Sequence, residues 1–263
     1  MHDQLLFNSA VWLVWAAPFL GIFAAGFTRR RDPHIAGDKV LRHDGAAILE
    51  HWTHGAGTAV LLLSGILLGL RFGFTPSFVS GKGITLWMNV HFAAVIVFLF
   101  GTFYYAANTV LSWHRFAEHL PTKNAFQFTK QHYGKLLGLK FEMPAEDKYF
   151  ESEKMAYLLA VTATLGVIVT GFVKVAAHMV SIPGWVMGPI SLVHDVSTVA
   201  MLAFFLAHVF FAAIAPFSWP VLRSMFTGYV TLEQAQHEHA GWYARLRADR
   251  EQEQAESEER DAA

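Results

Sequence analysis

The amino-acid sequence predicts an all-α integral membrane protein, built as a bundle of transmembrane helices. Of its 263 residues, 54% are apolar and only 16% are charged, a composition typical of membrane proteins. Five apolar runs are near or above the roughly 20 residues that the hydrocarbon core of a bilayer requires. They extend approximately over Leu5 to Phe27, Ile48 to Leu70, Leu86 to Ser112, Met155 to Ala177 and Pro189 to Ala215.

The first apolar run is predicted to be a retained transmembrane helix. A signal peptide is the alternative, but the segment before the run, "MHDQ", has no basic residue, and "RRR" follows the run instead of preceding it. We expect residues 1–45 to form this helix and a basic connection, residues 46–222 the main membrane domain, and residues 223–263 a charged tail. The end of the tail has almost no apolar residues, so it should be a solvated helix end or disordered.

The distribution of basic residues predicts the orientation of the spans. Of the 20 Lys and Arg residues, 17 lie in the connections 28–47 and 113–154 and in the tail after Ala215. The remaining three are Arg71, Lys82 and Lys174. Because connections rich in Lys and Arg stay in the cytoplasm, the N-terminus is expected outside and the tail inside. The expected location is the bacterial inner membrane.

Four histidines within apolar runs are the candidate functional residues: His51, His91, His194 and His208. Ionisable side chains in a membrane span are expensive and usually functional. His194 and His208 are 14 residues apart, which on an α-helix is about 21 Å of rise and only about 40° short of four full turns. Both rings therefore lie on one face, near opposite ends of one span.

The expected depth of each histidine suggests how the four residues pair. His91 matches His194 near the outer surface, whereas His208 matches His51 or its neighbour His54 near the cytoplasm. Facing imidazoles on two helices of a bundle can supply both axial ligands of a haem iron. Two matched pairs therefore predict two haem b groups stacked across the membrane, although a single membrane histidine is more often a hydrogen-bonding partner of another helix.

The residues around these histidines resemble the cytochrome b (gamma) subunit of membrane-bound formate dehydrogenases, with relatives in hydrogenase and thiosulfate reductase complexes. The resemblance extends from about Ala46 to Leu246. It is carried by His51 followed by Trp52, by His91 before "FAAVIVF", by the Lys-Tyr motif in "DKYFESEKMAYLLA", by "LVHDVSTVAMLAFFLAH" and by "GWYARL".

The resemblance implies a four-helix di-haem core, with His91 and His194 on the outer haem and His51 and His208 on the inner one. It also implies quinone reduction beside the inner haem, for which Tyr149, Glu153 and His208 are the candidate residues. The chain departs from the family pattern after the Lys-Tyr motif. Where the family usually offers Asn and Gly, this sequence has Phe150, Glu151, Ser152 and Glu153.

The expected function is electron transfer without a substrate-oxidising site in this chain. Haems with both axial positions filled carry electrons and leave no open iron site. The chain has no cysteine, which excludes thiolate-held iron–sulfur clusters within it, and it has no nucleotide-binding glycine fingerprint. Iron–sulfur and catalytic subunits are therefore the expected partners, with membrane lipid and quinone and without nucleic acid. The alternative is a transporter subunit in which the histidines form a proton or metal pathway.

Overall fold

The computed structural model describes residues 5–70, 82–141 and 145–262, and it is predominantly helical. The helices are, in chain order, α1 (Leu6–Ala10), α2 (Trp12–Gly26), α3 (Gly45–Leu70), α4 (Lys82–Tyr105), α5 (Trp113–Ala117), α6 (Ala125–Leu136), α7 (Glu151–Ala176), α8 (Gly184–Val209), α9 (Trp219–Thr227), α10 (Leu232–Glu238) and α11 (Ala240–Ala262). Two of the long helices end in a single π-helical turn, Ala106–Val110 after α4 and Phe210–Ile214 after α8.

Four helices are long and apolar enough to cross a membrane, which confirms the predicted fold class of a helical membrane bundle. The candidate spans are Gly45–Gly69, Gly83–Val110, Glu151–Ala176 and Gly184–Ile214. Each lies within about five residues of its predicted run. The α7 span begins earlier than hydropathy suggested because its polar first turn is also helical, with Glu151 and Glu153 at the positive end of the helix dipole.

The extra N-terminal helix is shorter than the sequence suggested. The predicted run from Leu5 to Phe27 is divided at Val11 into α1 and α2, and α2 has only 15 residues. It is therefore a short apolar helix and does not reach the length of the four spans. Of the three basic residues assigned to the outer connections, Arg71 lies outside the described residues.

The described chain forms two compact units. The first contains residues 1–29 and 46–113, and the second contains residues 30–45 and 114–263. In the first unit α2 packs on α4 through small residues, since a Cβ added to Gly21 would lie 2.5 Å from the carbonyl oxygen of Phe100. On α3, Gly57 lies against Phe98 of α4, and Thr53 lies against Gly101, so α3 and α4 pack closely and antiparallel.

In the second unit α7 packs along α8, and α6 packs on α7. This unit also contains a small antiparallel sheet that the sequence analysis missed, with strands β1 (His34–Ala36), β2 (Lys39–Leu41) and β3 (Tyr229–Thr231) in the order β1-β2-β3. A two-residue turn, Gly37-Asp38, joins the first two strands into a hairpin. Gly37 adopts a φ of +63°, which glycine allows at no steric cost.

The end of the chain is ordered as a helix. The apolar core beneath the sheet combines Val40 and Val230 with Ala235, Trp242 and Leu246, so it joins β2 and β3 to α10 and α11. From residue 250 to residue 261 the side chains of α11 are exposed, so this part of the tail is a solvated helix end.

Candidate functional site

In the first unit, His91 of α4 contacts a hydroxyl on α3. Its Nδ1 lies 2.9 Å from Oγ of Ser64, a residue with no exposed surface. The same Oγ lies 2.6 Å from the carbonyl oxygen of Val60, one turn earlier on α3. A Cβ added to Gly65, next to Ser64, would lie 3.7 Å from the His91 ring, so glycine lets the imidazole lie close to the α3 backbone.

In the second unit, His194 of α8 has the same kind of contact with α7. Its Nδ1 lies 2.8 Å from Oγ1 of Thr170, which is also buried. Oγ1 of Thr170 in turn lies 2.6 Å from the carbonyl oxygen of Gly166. We call Ser64–His91 and Thr170–His194 the hydroxyl–histidine pairs.

The hydrogen bonds of these pairs assign the tautomer of both imidazoles. A carbonyl oxygen can only accept, so each hydroxyl donates its single proton to the carbonyl one turn earlier. The hydroxyl oxygen is then an acceptor for the histidine, and Nδ1 of His91 and of His194 carries the proton. In a neutral imidazole the lone pair consequently lies on Nε2, the form in which histidine ligates a metal. The donor chemistry of both residues therefore fits an axial ligand of haem iron.

His51, His54 and His208 pack against aromatic rings. On α3, the ring of His51 lies edge-on to Trp52 at 5.3 Å, and the ring of His54 lies 4.8 Å from Phe98 of α4. On α8, His208 stacks on Phe204 at 5.5 Å. His54 is thus part of the α3–α4 packing.

Each unit separates its histidines into two levels by nearly the same distance. His91 lies beside Ser64, which is 13 residues after His51 on α3, or about 20 Å along the helix. On α8, His194 and His208 are 14 residues apart, or about 21 Å. Two independent helix pairs therefore present imidazoles with the same axial spacing.

The Lys-Tyr motif lies in a cationic and aromatic environment within the second unit. The ring of Tyr149 lies 5.1 Å from Nζ of Lys148, 5.7 Å from the guanidinium of Arg42 and 4.6 Å from the ring of His119. Nδ1 of His119 donates to the carbonyl oxygen of Arg115, and burial lowers the pKa of His119 below its ordinary value. A neutral imidazole therefore packs on Tyr149.

The three charged residues that begin α7 have different surroundings. Glu151 forms a buried ion pair with Lys154 at 2.9 Å and accepts a hydrogen bond from the N–H of Thr122. Glu153 is exposed, and its carboxylate accepts the N–H of Phe150, which satisfies one free donor at the helix start. Glu151 and Lys154 are therefore buried by their contacts, whereas Glu153 is exposed.

Helix α6 connects this segment to the end of α8. His132 lies 5.2 Å from Phe150, and the next residue, Tyr133, lies 5.6 Å from Phe211, three residues after His208. Burial and the negative charge of Glu153 raise the pKa of Tyr133. Sequence reasoning missed His132 and Tyr133 because they lie outside every apolar run, and the basic connection carried no motif around them.

A second buried histidine that the sequence analysis missed joins the tail to the Lys-Tyr motif. Nδ1 of His239 donates to the carbonyl oxygen of Asp147, and Nε2 accepts from Nη1 of Arg42 at 2.8 Å. Burial and the charge of Arg42 lower the pKa of His239 to about 3. The carboxylate of Asp147 pairs with Arg245 of α11. This network fixes β2 and α11 against the start of α7.

These features define a class of protein: a multi-pass helical membrane protein with intramembrane histidines in the tautomer suited to metal ligation. A family model described as prokaryotic cytochrome b561 matches residues 42–228, and the chain belongs to this family. No curated protein matches the chain. The protein is accordingly a membrane haem b protein of electron transport. Haem b supplies a reversible one-electron iron centre when it is bound.

Proposed function

We propose that this chain is the membrane-anchoring, di-haem b subunit of a respiratory complex of the formate dehydrogenase type. His91 and His194 are the axial ligands of the outer haem, and His51 and His208 are those of the inner haem. Residues 46–222 form the di-haem domain, which receives electrons from a partner iron–sulfur subunit and delivers them to quinone. Substrate oxidation belongs to a separate catalytic subunit.

The equal spacing of the histidine levels is the observation that carries this proposal. A bis-histidine haem needs one imidazole from each of two helices at the same depth. The separation is about 20 Å between the His51 and His91 levels and about 21 Å between His194 and His208. The spacing of the histidines within each helix pair therefore supports two haems at two levels of the membrane. The packing of His54 on Phe98 favours His51 as the inner ligand of α3.

We place the quinone beside the inner haem, near Tyr149, Glu153 and His208. The contacts of α6 support this position, because His132 and Tyr133 link the Lys-Tyr segment to the residues that follow His208. Glu153 is exposed at the start of α7 and can exchange protons with water.

A pair of substitutions tests the quinone position. Tyr149→Phe or Glu153→Gln should slow reoxidation of the reduced protein by added quinone, while the haem spectrum stays unchanged. Glu233→Gln is a matched control, because Glu233 is an exposed carboxylate in the first turn of another helix of the same unit. Reoxidation at the wild-type rate in both test variants would move the quinone site elsewhere, and the surface around His54 and the first connection would be the next position to test.

The orientation follows from the basic residues and remains part of the proposal. With the N-terminus outside and the tail in the cytoplasm of a bacterial inner membrane, the histidine level of His91 and His194 faces the outer surface. Electrons would then enter from outside, whereas protons for the quinone would come from the cytoplasm. Turnover would separate charge across the membrane.

The reduced-minus-oxidised spectrum of the purified protein, with haem quantified per chain, tests the proposed function. We expect a b-type spectrum and two haems per chain. A colourless protein would refute the proposal and would favour the transporter alternative. Co-purification would identify the donor: a formate-oxidising subunit is expected, and a hydrogenase or thiosulfate reductase subunit would correct the partner while leaving the di-haem function intact.

A further inference from the structure

The two hydroxyl–histidine pairs occupy equivalent places in their helix pairs. Helices α3 and α7 both have 26 residues, and Ser64 and Thr170 both lie six residues before the last residue of their helix. Each is followed by glycine, Gly65 and Gly171. In each case the hydroxyl lies 2.6 Å from the carbonyl one turn earlier and contacts Nδ1 of a histidine on the next long helix.

We propose that Ser64 and Thr170 are positioning residues that set the tautomer and ring orientation of His91 and His194 and thereby tune the outer haem. The inference rests on the proposed function, because it takes these two histidines as iron ligands. Beyond the identity of the ligands, it assigns a role to the two hydroxyls: they determine how tightly the histidines bind the iron and at what potential the haem is reduced.

The chemistry follows from the direction of the hydrogen bonds. Because each hydroxyl proton is used on the helix carbonyl, the oxygen can only accept from Nδ1–H, and Nε2 is left as the ligating atom. An acceptor on Nδ1–H also raises the basicity of the imidazole, and such outer partners typically contribute 10- to 100-fold to metal affinity. A more basic ligand stabilises ferric over ferrous iron, so these hydroxyls should hold the reduction potential of the outer haem down.

The hydroxyls of both hydroxyl–histidine pairs are shielded from water. Ser64 has no exposed surface and Thr170 is only 2% exposed, so water cannot replace a lost hydroxyl without opening the helix interface. Removal of either hydroxyl would take away the acceptor that it offers to Nδ1–H. The loss of a buried hydrogen bond is costly, and the imidazole would rotate or bind the iron less tightly.

Threonine 170 permits a matched set of variants. Thr170→Val removes the hydroxyl and keeps the shape, whereas Thr170→Ser keeps the hydroxyl and removes a methyl group. Thr162→Val is the control for the helix: its hydroxyl also bonds to a carbonyl four residues earlier on α7, that of Leu158, at 2.8 Å. In the part of the chain that the structure describes, the Thr162 hydroxyl bonds to that carbonyl alone.

The readouts are haem content, the midpoint potential of each haem by redox titration, and the ligand-field signals of the ferric haems by electron paramagnetic resonance. Thr170→Val should raise the potential of one haem, change the signal of that haem only, and weaken its retention about 10-fold in a competition with apomyoglobin. Thr170→Ser and Thr162→Val should match the wild type. Ser64→Ala should affect the same haem as Thr170→Val, and it serves as a second test if the valine variant fails to insert.

The outcomes separate this inference from the proposed function. If the wild-type chain binds no haem, or if His91→Ala and His194→Ala leave both haems in place, the proposed function fails. If the wild type binds two haems but Thr170→Val and Ser64→Ala leave the potentials and signals unchanged, the positioning role is wrong and the function stands. Equal shifts in Thr170→Val and Thr170→Ser would also overturn the positioning role, because they would attribute the effect to packing.

Discussion

Acidification should detach the C-terminal tail through protonation of His239. This ring is completely buried, stacks on Phe150 at 4.7 Å, and bonds to Arg42 and to the carbonyl oxygen of Asp147. A proton on Nε2 would place two donors against each other, His239 and the guanidinium of Arg42. The folded structure therefore favours the neutral ring.

The expected magnitude follows from the change in pKa. Folding lowers the pKa of His239 from 6.5 to about 3. The neutral ring contributes its full stability above pH 6.5, and this contribution is lost progressively as the pH falls toward 3. Between pH 7 and pH 4 the protonation of the detached state should shift the equilibrium by about 3 kcal/mol, at 1.36 kcal/mol per pKa unit. A change of this size increases the detached population more than 100-fold.

Hydrogen exchange and limited proteolysis of α11 at pH 7 and pH 4 are the assays. Protection of the segment around Trp242 should fall at pH 4 in the wild type. His239→Gln should flatten the pH dependence, because an amide can donate to Asp147 and accept from Arg42 without titrating. His237→Gln, a change at an exposed histidine two residues earlier, should leave the dependence intact. If His239→Gln lost as much protection at pH 4 as the wild type, His239 would not be the group whose protonation detaches the tail.

Three further predictions follow from the fold and the proposed site. A reporter active only in the cytoplasm should work when fused near Lys130 and fail near Pro183; activity at Pro183 would invert the topology. Gly21→Ala should lower the melting temperature in detergent, because the new Cβ would lie 2.5 Å from the α4 backbone. Overpacking of this kind costs about 1–3 kcal/mol. Gly26→Ala is the control and should have little effect, because a Cβ at that position meets nothing within 4 Å. Tyr149→Phe should change the affinity for a quinone analogue in a binding titration; identical binding would remove Tyr149 from the pocket.

The spans could be predicted from the sequence because the length of an apolar run directly reflects the thickness of the bilayer. The helix ends could not, because polar residues such as Glu151 continue a helix beyond the apolar run. The small sheet was missed since its strands have only three residues each, and β3 pairs with a segment about 190 residues earlier in the chain.

The candidate site could also be predicted only in part. Histidines in apolar runs are easily recognised in a sequence, and their spacing predicts their depths in the membrane. The partners of His91 and His194 do not stand out, because a single Ser or Thr in a membrane helix is common and usually bonds to its own backbone. Only the Ser-Gly and Thr-Gly dipeptides at matching places in α3 and α7 offered a signal. His239 and Arg42 are 197 residues apart, and no local pattern joins them.

The most direct test of the central claim is the haem content of combined histidine variants. If each haem is held by one histidine from each helix pair, His91→Ala, His194→Ala and the double variant of both should all lose the same single haem. The combination of His91→Ala with His208→Ala should lose both haems. Loss of both haems in the His91/His194 double variant, with an inserted and stable chain, would contradict the pairing, as would retention of one haem in the His91/His208 double variant.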